Sequence, residues 1–327
     1  MYLAGDVGGT KILLQLSGEC EGRPGGEVLF ERRYASSDFT GLMDAVGTFK
    51  DECSAAGVAI ESIQSACFGV AGPVSDGRVK VTNLPWIVDE RELSVALGIP
   101  RVRLVNDFEA AAHGIDAVSA KNIFTLQAGE QEARGHRIVL GAGTGFGVAY
   151  SLWTPTGRLA IAGEGGHMGF APGNDVQAEF WREVCASEGR VAVERVLSGP
   201  GLVRLHDFFR RRTGVSLPPI RPAVDPEAVI AAARNGRDAA AASAVNLFVA
   251  AYGAVAGDHA LAVMARGGVY LCGGIAPAIL PELAAGSFLA SFGAKGPHAG
   301  LMCGFPVHVV LEPRLCLHGA RALAVRP

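Results

Sequence analysis

The pattern that most constrains this chain is a short apolar run, a glycine turn and a second apolar run, and it occurs twice. Residues 2–7 lead through Gly8, Gly9 and Thr10 into "KILLQL" at 11–16. Residues 136–153, "HRIVLGAGTGFGVAYSLW", repeat the arrangement around Gly143, Thr144 and Gly145. Apolar runs on both sides of a tight turn predict a β-hairpin. Recurrence of one such unit predicts two related halves.

The segments between the hairpins set the fold class. A third strand is expected at 27–34, after a loop at 17–26. From Phe39 the apolar residues fall at 39, 42, 43, 46, 49 and 53, which is helical spacing, and Gly57 is a stop. "ACFGVAGPV" at 66–74 predicts a buried strand. Residues 89–98 predict a helix capped by Asp89, and 101–105 a strand that hands over at once to the helix "DFEAAAHGI". Strands alternating with helices make this an α/β chain. A second part begins near residue 118. It holds helices at 175–189 and 225–236, the latter with Asp225 as cap and Pro226 in first position. A strand at 268–277 runs into Gly273-Gly274, and the chain closes with an apolar run at 306–313 and the helix "CLHGARALAV".

Composition excludes several partners. The 327 residues are 49% hydrophobic and the formal net charge is −3. No basic surplus points to nucleic acid. Seven cysteines, at 20, 53, 67, 185, 272, 303 and 316, are widely spaced with no C-x-x-C. That predicts reduced thiols and a cytoplasmic location rather than a disulfide framework or zinc site. Residues 239–257 carry no charge but are mostly alanine, with Ser243 and Asn246, so they predict a core helix and not a membrane span. Gly253 and Gly257 in that helix predict close packing, within the subunit or between subunits. The N-terminus has no signal-peptide pattern.

The glycine turns have a chemical use. A turn without Cβ atoms lets backbone N–H groups surround phosphate oxygens. Thr10 adds a hydroxyl and Lys11 a charge. Asp6 would repel phosphate, but it can hold Mg²⁺ or its water against it. A tight hairpin with no ligand explains either turn equally well by itself. Asp107 follows a strand and opens a helix, where it can act as an N-cap or as a general base. The cap is the better reading from spacing alone. Glu164 and His167 share the glycine-rich stretch "IAGEGGHMGFAP", an open loop that can receive hydroxyls; a local Glu–His pair or a simply solvated loop is the better reading from the residues alone. Glu194 reads as an exposed helical glutamate.

In order along the chain, "GDVGGTK", "FGVAGPV", "TNLPW", "LVNDFEAAAHG", "GAGTGFGVA", "GEGGHMGFAP", "VERVLSGPGLVRL" and "LCGGIAP" together resemble the bacterial glucokinase family, the non-ROK branch of the hexokinase and actin-like ATPase superfamily. The resemblance implies two actin-like (ribonuclease H-like) α/β domains flanking a cleft. The small one would comprise 1–117 plus 310–327 and the large one 118–309. It implies an ATP:hexose 6-phosphotransferase acting on glucose, with ATP and Mg²⁺, as a homodimer. By the same resemblance Asp107 is the base for the sugar 6-hydroxyl. Asn83, Asn106, Glu164, His167 and Glu194 hold other hydroxyls. Asp6, Gly8, Gly9, Thr10, Lys11, Gly143, Thr144 and Gly145 surround phosphates and Mg²⁺, and Gly273 and Gly274 lie near adenosine. The cysteine-rich zinc signature of ROK kinases is missing, so no zinc is expected. Leu315–Gly319 stands where the family more often has a glycine-rich turn. A kinase for fructose, mannose or an N-acetylhexosamine, a non-catalytic sugar-sensing regulator and an actin-like ATPase are the alternatives. The last would not call for Glu164, His167 and Glu194. A regulator with an N-terminal DNA-binding helix pair is not expected, because the first turn begins at residue 5.

Overall fold

The computed structural model describes residues 1–18, 26–58, 60, 63–214 and 225–326. Most of the loop expected at 17–26, with Cys20, lies outside them. The described chain forms two compact units: Met1–Ser119 with Ala160–Ala162 and Arg314–Pro327, and Ala120–Leu159 with Gly163–Pro313.

The first unit opens with the expected hairpin, β1 (Tyr2–Val7) and β2 (Lys11–Ser17), followed by β3 (Val28–Ala35). Helix α1 (Leu42–Ala55) starts three residues later than the spacing from Phe39 suggests. Phe39 instead stays in extended chain and packs edge-on against Tyr34, with ring centroids 5.3 Å apart. Strand β4 (Ser65–Val70) is shorter than the 66–74 run, because Gly72 turns the chain at φ +136°. A small sheet follows, β5 (Val74–Ser75), β6 (Arg78–Lys80) and β7 (Ile87–Asp89). Asp89 caps α2 (Glu90–Leu97) as expected, accepting from the amides of Arg91 and Glu92. Then come β8 (Arg101–Asn106) and α3 (Asp107–Gly114). The main sheet runs β3-β2-β1-β4-β8, with β1, β4 and β8 parallel.

The second unit holds β9 (Ile123–Gln127) and the second hairpin, β10 (Arg137–Ala142) with β11 (Phe146–Thr154), then β12 (Gly157–Gly163). Helices α4 (Asp175–Glu188), α5 (Gly199–Thr213), α6 (Pro226–Arg234) and α7 (Ala239–Val263) follow. Strand β13 (Gly268–Cys272) leads into short helices α8 (Ile275–Ala278), α9 (Leu280–Ala284), α10 (Ser287–Gly293) and α11 (Ala299–Met302), and β14 (Val307–Val310) ends the unit. Its sheet runs β12-β11-β10-β13-β14-β9. The first five strands of this order repeat the first unit: a hairpin strand between its antiparallel partner and a parallel neighbour. The recurring glycine turn thus marks a recurring sheet.

Helix α7 is long and apolar enough to cross a membrane by composition, but most of it is buried inside the unit. The two glycines predicted to pack closely do so within the chain. A Cβ on Gly253 would lie 2.1 Å from the Phe288 carbonyl oxygen, and one on Gly257 2.6 Å from that of Phe292, both on α10. The glycine stripe is therefore used inside the chain and is not available to a second subunit.

The chain returns to the first unit as α12 (Leu315–Ala324). Leu315–Gly319 is helical, and Gly319 crosses α3 so closely that a Cβ would meet the Ala110 carbonyl at 1.6 Å. Ala4, Cys67, Val105 and Leu317 pack between the sheet and these two helices.

Candidate active site

In the first unit the predicted residues gather at the carboxyl ends of three parallel strands, where open α/β sheets bind ligands. Register places Asp6 beside Gly69, and Val70 beside Asn106. Asp6 is 9% exposed. Burial pushes its carboxyl above the ordinary value, opposed by Lys11 and by the Cys316 thiol, which donates to it. Lys11 Nζ stands 3.9 Å from Asp6 Oδ2. Burial, then the charges of Asp6 and Asp107, hold the Cys316 thiol well above its usual range, so it stays a donor.

The first glycine turn is closed by the Gly8 amide donating to the Lys11 carbonyl at 2.9 Å. Ser36 Oγ donates to the Gly8 carbonyl at 2.8 Å and ties down its back. Among the described residues no backbone carbonyl takes the amides of Gly9 or Thr10. Asn83, in the left-handed region at φ +63°, lies against Gly9, whose Cβ would come 3.4 Å from that of Asn83.

Asp107 is not the N-cap of α3; Asn106 is. Asn106 Oδ1 accepts from the amides of Phe108 at 2.9 Å and Glu109 at 3.3 Å. Its Nδ2 donates to the Gly72 carbonyl at 3.1 Å. Strand geometry ends at Asn106 and the helix begins at Asp107, one residue earlier than an Asp107 cap requires. The second Nδ2 hydrogen of Asn106 has no acceptor among the described residues. Asp107 occupies the first helical position, where the helix favours its ionised form, and its Oδ1 accepts from the Phe108 amide at 2.9 Å.

In the second unit the other turn is also closed by its first amide, but over one residue fewer: Gly143 N–H donates to the Gly145 carbonyl at 2.8 Å. No described backbone carbonyl takes the Thr144 or Gly145 amide, and a Cβ on Gly143 would meet only open space. Gly273, at φ +82°, approaches within 2.6 Å (by its Cβ position) of the Ala142 carbonyl, so the Gly273-Gly274 turn neighbours this hairpin turn. Gly274 faces open space.

Glu164 and His167 flank the 3-10 turn Gly165–His167, and both side chains are exposed. Among the described residues no side-chain ion pair or hydrogen bond joins them, so the local side-chain pair does not form; the His167 amide donates to the Glu164 carbonyl at 3.0 Å. Glu194 is not a free helical glutamate. Its Oε2 accepts from the Phe146 amide at 2.8 Å and would stand 2.4 Å from a Cβ on Gly145, fastening it to the second turn. Ser198 Oγ donates to the Glu194 carbonyl at 2.7 Å while capping α5. His167 and Glu194 line one cavity of about 360 Å³ with Glu188, Arg190, Ala192 and Arg195. The spacing of 48 residues hid the Glu194 contact, and nothing in the sequence marks Cys316 as a neighbour of Asp6.

Among the described residues no three His, Cys, Asp or Glu side chains form a metal cage. One buried carboxylate beside a glycine turn suits Mg²⁺, which keeps most of its ligands as water and phosphate oxygen.

A sequence model described as Glucokinase matches residues 3–327. The chain is 36% identical over 344 aligned residues to a glucokinase of Trichormus variabilis, covering 100% of this chain and 99% of that one. Its fold is similar to a glucokinase from an Antarctic psychrotroph at a TM-score of 0.84, with 28% identity over 99% of this chain and 98% of that one. A ROK family glucokinase from Streptomyces griseus, solved with glucose and AMPPNP, aligns at a TM-score of 0.65, with 22% identity over 99% of this chain and 98% of that one. With a family match over nearly every residue and a mixed α/β fold in common with glucokinases, the chain belongs to the glucokinase family.

Proposed function

We propose that this chain transfers the γ-phosphoryl group of ATP to the 6-hydroxyl of D-glucose, yielding ADP and glucose 6-phosphate. The observation that carries this reading is the match to glucokinases along nearly the whole chain, with Asp107 set in the first position of α3 at the carboxyl end of β8. In this reading Asp107 accepts the 6-hydroxyl proton as the oxygen attacks the phosphorus. Asn83, Asn106, Glu164, His167 and Glu194 hold the remaining hydroxyls. A sugar that lacks one partner leaves a buried polar group unpaired, at a cost of roughly 1–3 kcal/mol.

The amides of Gly9, Thr10, Thr144 and Gly145 would receive phosphate oxygens, with the Thr10 hydroxyl and Lys11 alongside, and Gly273-Gly274 would meet the adenosine. Asp6 would hold Mg²⁺ through water or phosphate, and the ion when bound neutralises charge on the phosphates. The two units are read as the small and large actin-like domains, and the resemblance to the family supports a cytoplasmic homodimer. Binding sugar first would order the site before phosphoryl transfer and suppress loss of ATP to water.

ADP release with Mg-ATP and glucose, mannose, fructose, N-acetylglucosamine, N-acetylmannosamine or no sugar tests the reading. Glucose-dependent release with almost none in its absence is expected. Release led by another sugar would move the specificity, and equal release without sugar would remove the sugar site.

A further inference from the structure

The loop that carries Glu164 and His167 is built on glycines, and what those glycines rest on is specific. A Cβ on Gly165 would lie 2.9 Å from His259 Cε1 and 2.7 Å from Val148 Cγ2. One on Gly163 would lie 3.3 Å from Tyr150 Cε2, and one on Gly166 2.1 Å from the Phe146 carbonyl oxygen. His259, on α7, is 5% exposed. Its Nδ1 shares a hydrogen bond of 2.7 Å with Tyr150 Oη on β11, and the two rings are tilted with centroids 6.0 Å apart.

We infer that Tyr150 and His259 are positioning residues for the sugar: a hydrogen-bonded pair of rings that forms the floor under Gly163–Gly166 and sets where Glu164 and His167 present their polar atoms. This rests on the reading of Glu164 and His167 as sugar ligands. A polar pair in an apolar core is otherwise a poor choice of floor, since two apolar rings of the same shape would avoid the desolvation cost. Its use is direction. Burial holds the imidazole below and the phenol above their ordinary values, so both stay neutral and one hydrogen bond fixes the tilt of each ring. The loop above has no side chains of its own to hold it at Gly165 and Gly166, so the ring tilt is passed to the exposed ligands on either side. Neither residue touches the sugar in this arrangement.

Tyr150→Phe removes one oxygen and keeps the ring. The expected result is a rise of about five-fold or more in glucose KM and in the calorimetric glucose Kd, with ATP KM and kcat within about two-fold of the parent. His259→Asn should act on the same two constants, and the double variant should be no worse than the worse single, because both break one contact. His167→Ala serves as the reference for the sugar loop. If His167→Ala weakens glucose and Tyr150→Phe leaves it within two-fold, the floor has no positioning role and the inference falls. If ATP KM moves as far as glucose KM in Tyr150→Phe, or the two substitutions add in full, the pair is merely structural and the inference also falls. If His167→Ala leaves glucose binding unchanged, the sugar-loop reading and this inference fall together. Should His259→Asn fail to fold, Tyr150→Phe alone decides.

Discussion

The two glycine turns have one backbone plan and two ways of bringing in a carboxylate. Each joins a central strand to its antiparallel partner, each is closed by its first amide, and each ends a strand with a parallel neighbour. In the first, the acid is in the strand itself: Asp6, paired with Leu13 across the hairpin. The matching residue of the second hairpin is Gly141, paired with Gly147, and a Cβ there would meet the Cys272 carbonyl at 2.4 Å. Its acid, Glu194, arrives from a separate turn and is already bonded to the Phe146 amide. A buried in-strand acid next to a lysine suits a cation and phosphate. An acid already held by the backbone serves to shape the turn.

The largest test of this contrast lies just outside the turns. Asp107→Asn should lower kcat by about 10²–10⁴-fold with calorimetric glucose affinity nearly intact. Turnover within a few-fold of the parent would remove Asp107 as the base. Next, Asp6→Asn should cost about 10²-fold in kcat with weakened dependence on Mg²⁺ concentration, whereas Glu194→Gln, which keeps an acceptor for Phe146, should cost far less in kcat. Equal losses would erase the distinction between the turns. Third, Gly143→Ala should leave the unfolding midpoint unchanged, since its Cβ enters open space, yet raise ATP KM by about ten-fold by intruding on the phosphate cradle. Gly141→Ala should do the reverse, losing about 1–3 kcal/mol of stability through overpacking.

The smallest effect is on stability against pH, and it belongs to the first unit. Burial, with Arg326 and Arg103 nearby, depresses His113 to about 4. The unfolded chain takes up this proton near the ordinary value of 6.5 and the folded chain does not, so folding stability should fall as pH drops from 6.5 toward 4. His113→Gln should flatten part of that slope in a series of thermal melts. An unchanged slope would show that other groups carry it; His259 and His308 in the second unit are depressed in the same direction.

Much of the fold was legible because its signals are local. The paired hairpins follow from runs around glycine, and the Asp89 and Asp225 caps from one polar residue before a helical pattern. Ambiguity arose where two adjacent residues can do the same work: Asn106 and Asp107 are both good caps, and only the length of β8 decides between them. Contacts between distant segments left no trace in spacing. Glu194 on Phe146, Cys316 on Asp6 and Tyr150 on His259 all depend on how sheets and helices stack. The resemblance to a family pointed to Glu194 as a site residue, but its bond to the turn is visible only in three dimensions.

The crossing of α12 over α3 has a consequence in time. Residues 1–119 emerge from the ribosome first, yet they cannot finish their own unit until residues 315–324 have been made. Gly319 must reach the backbone of Ala110, and Ser65 Oγ must find the Ala324 carbonyl, across a sequence separation of 259 residues. The intervening unit is made in the meantime, while Cys67 and Val105 stay uncovered on one side of the earlier sheet. Asp6 and Asp107 therefore belong to the half of the molecule that is begun first and completed last.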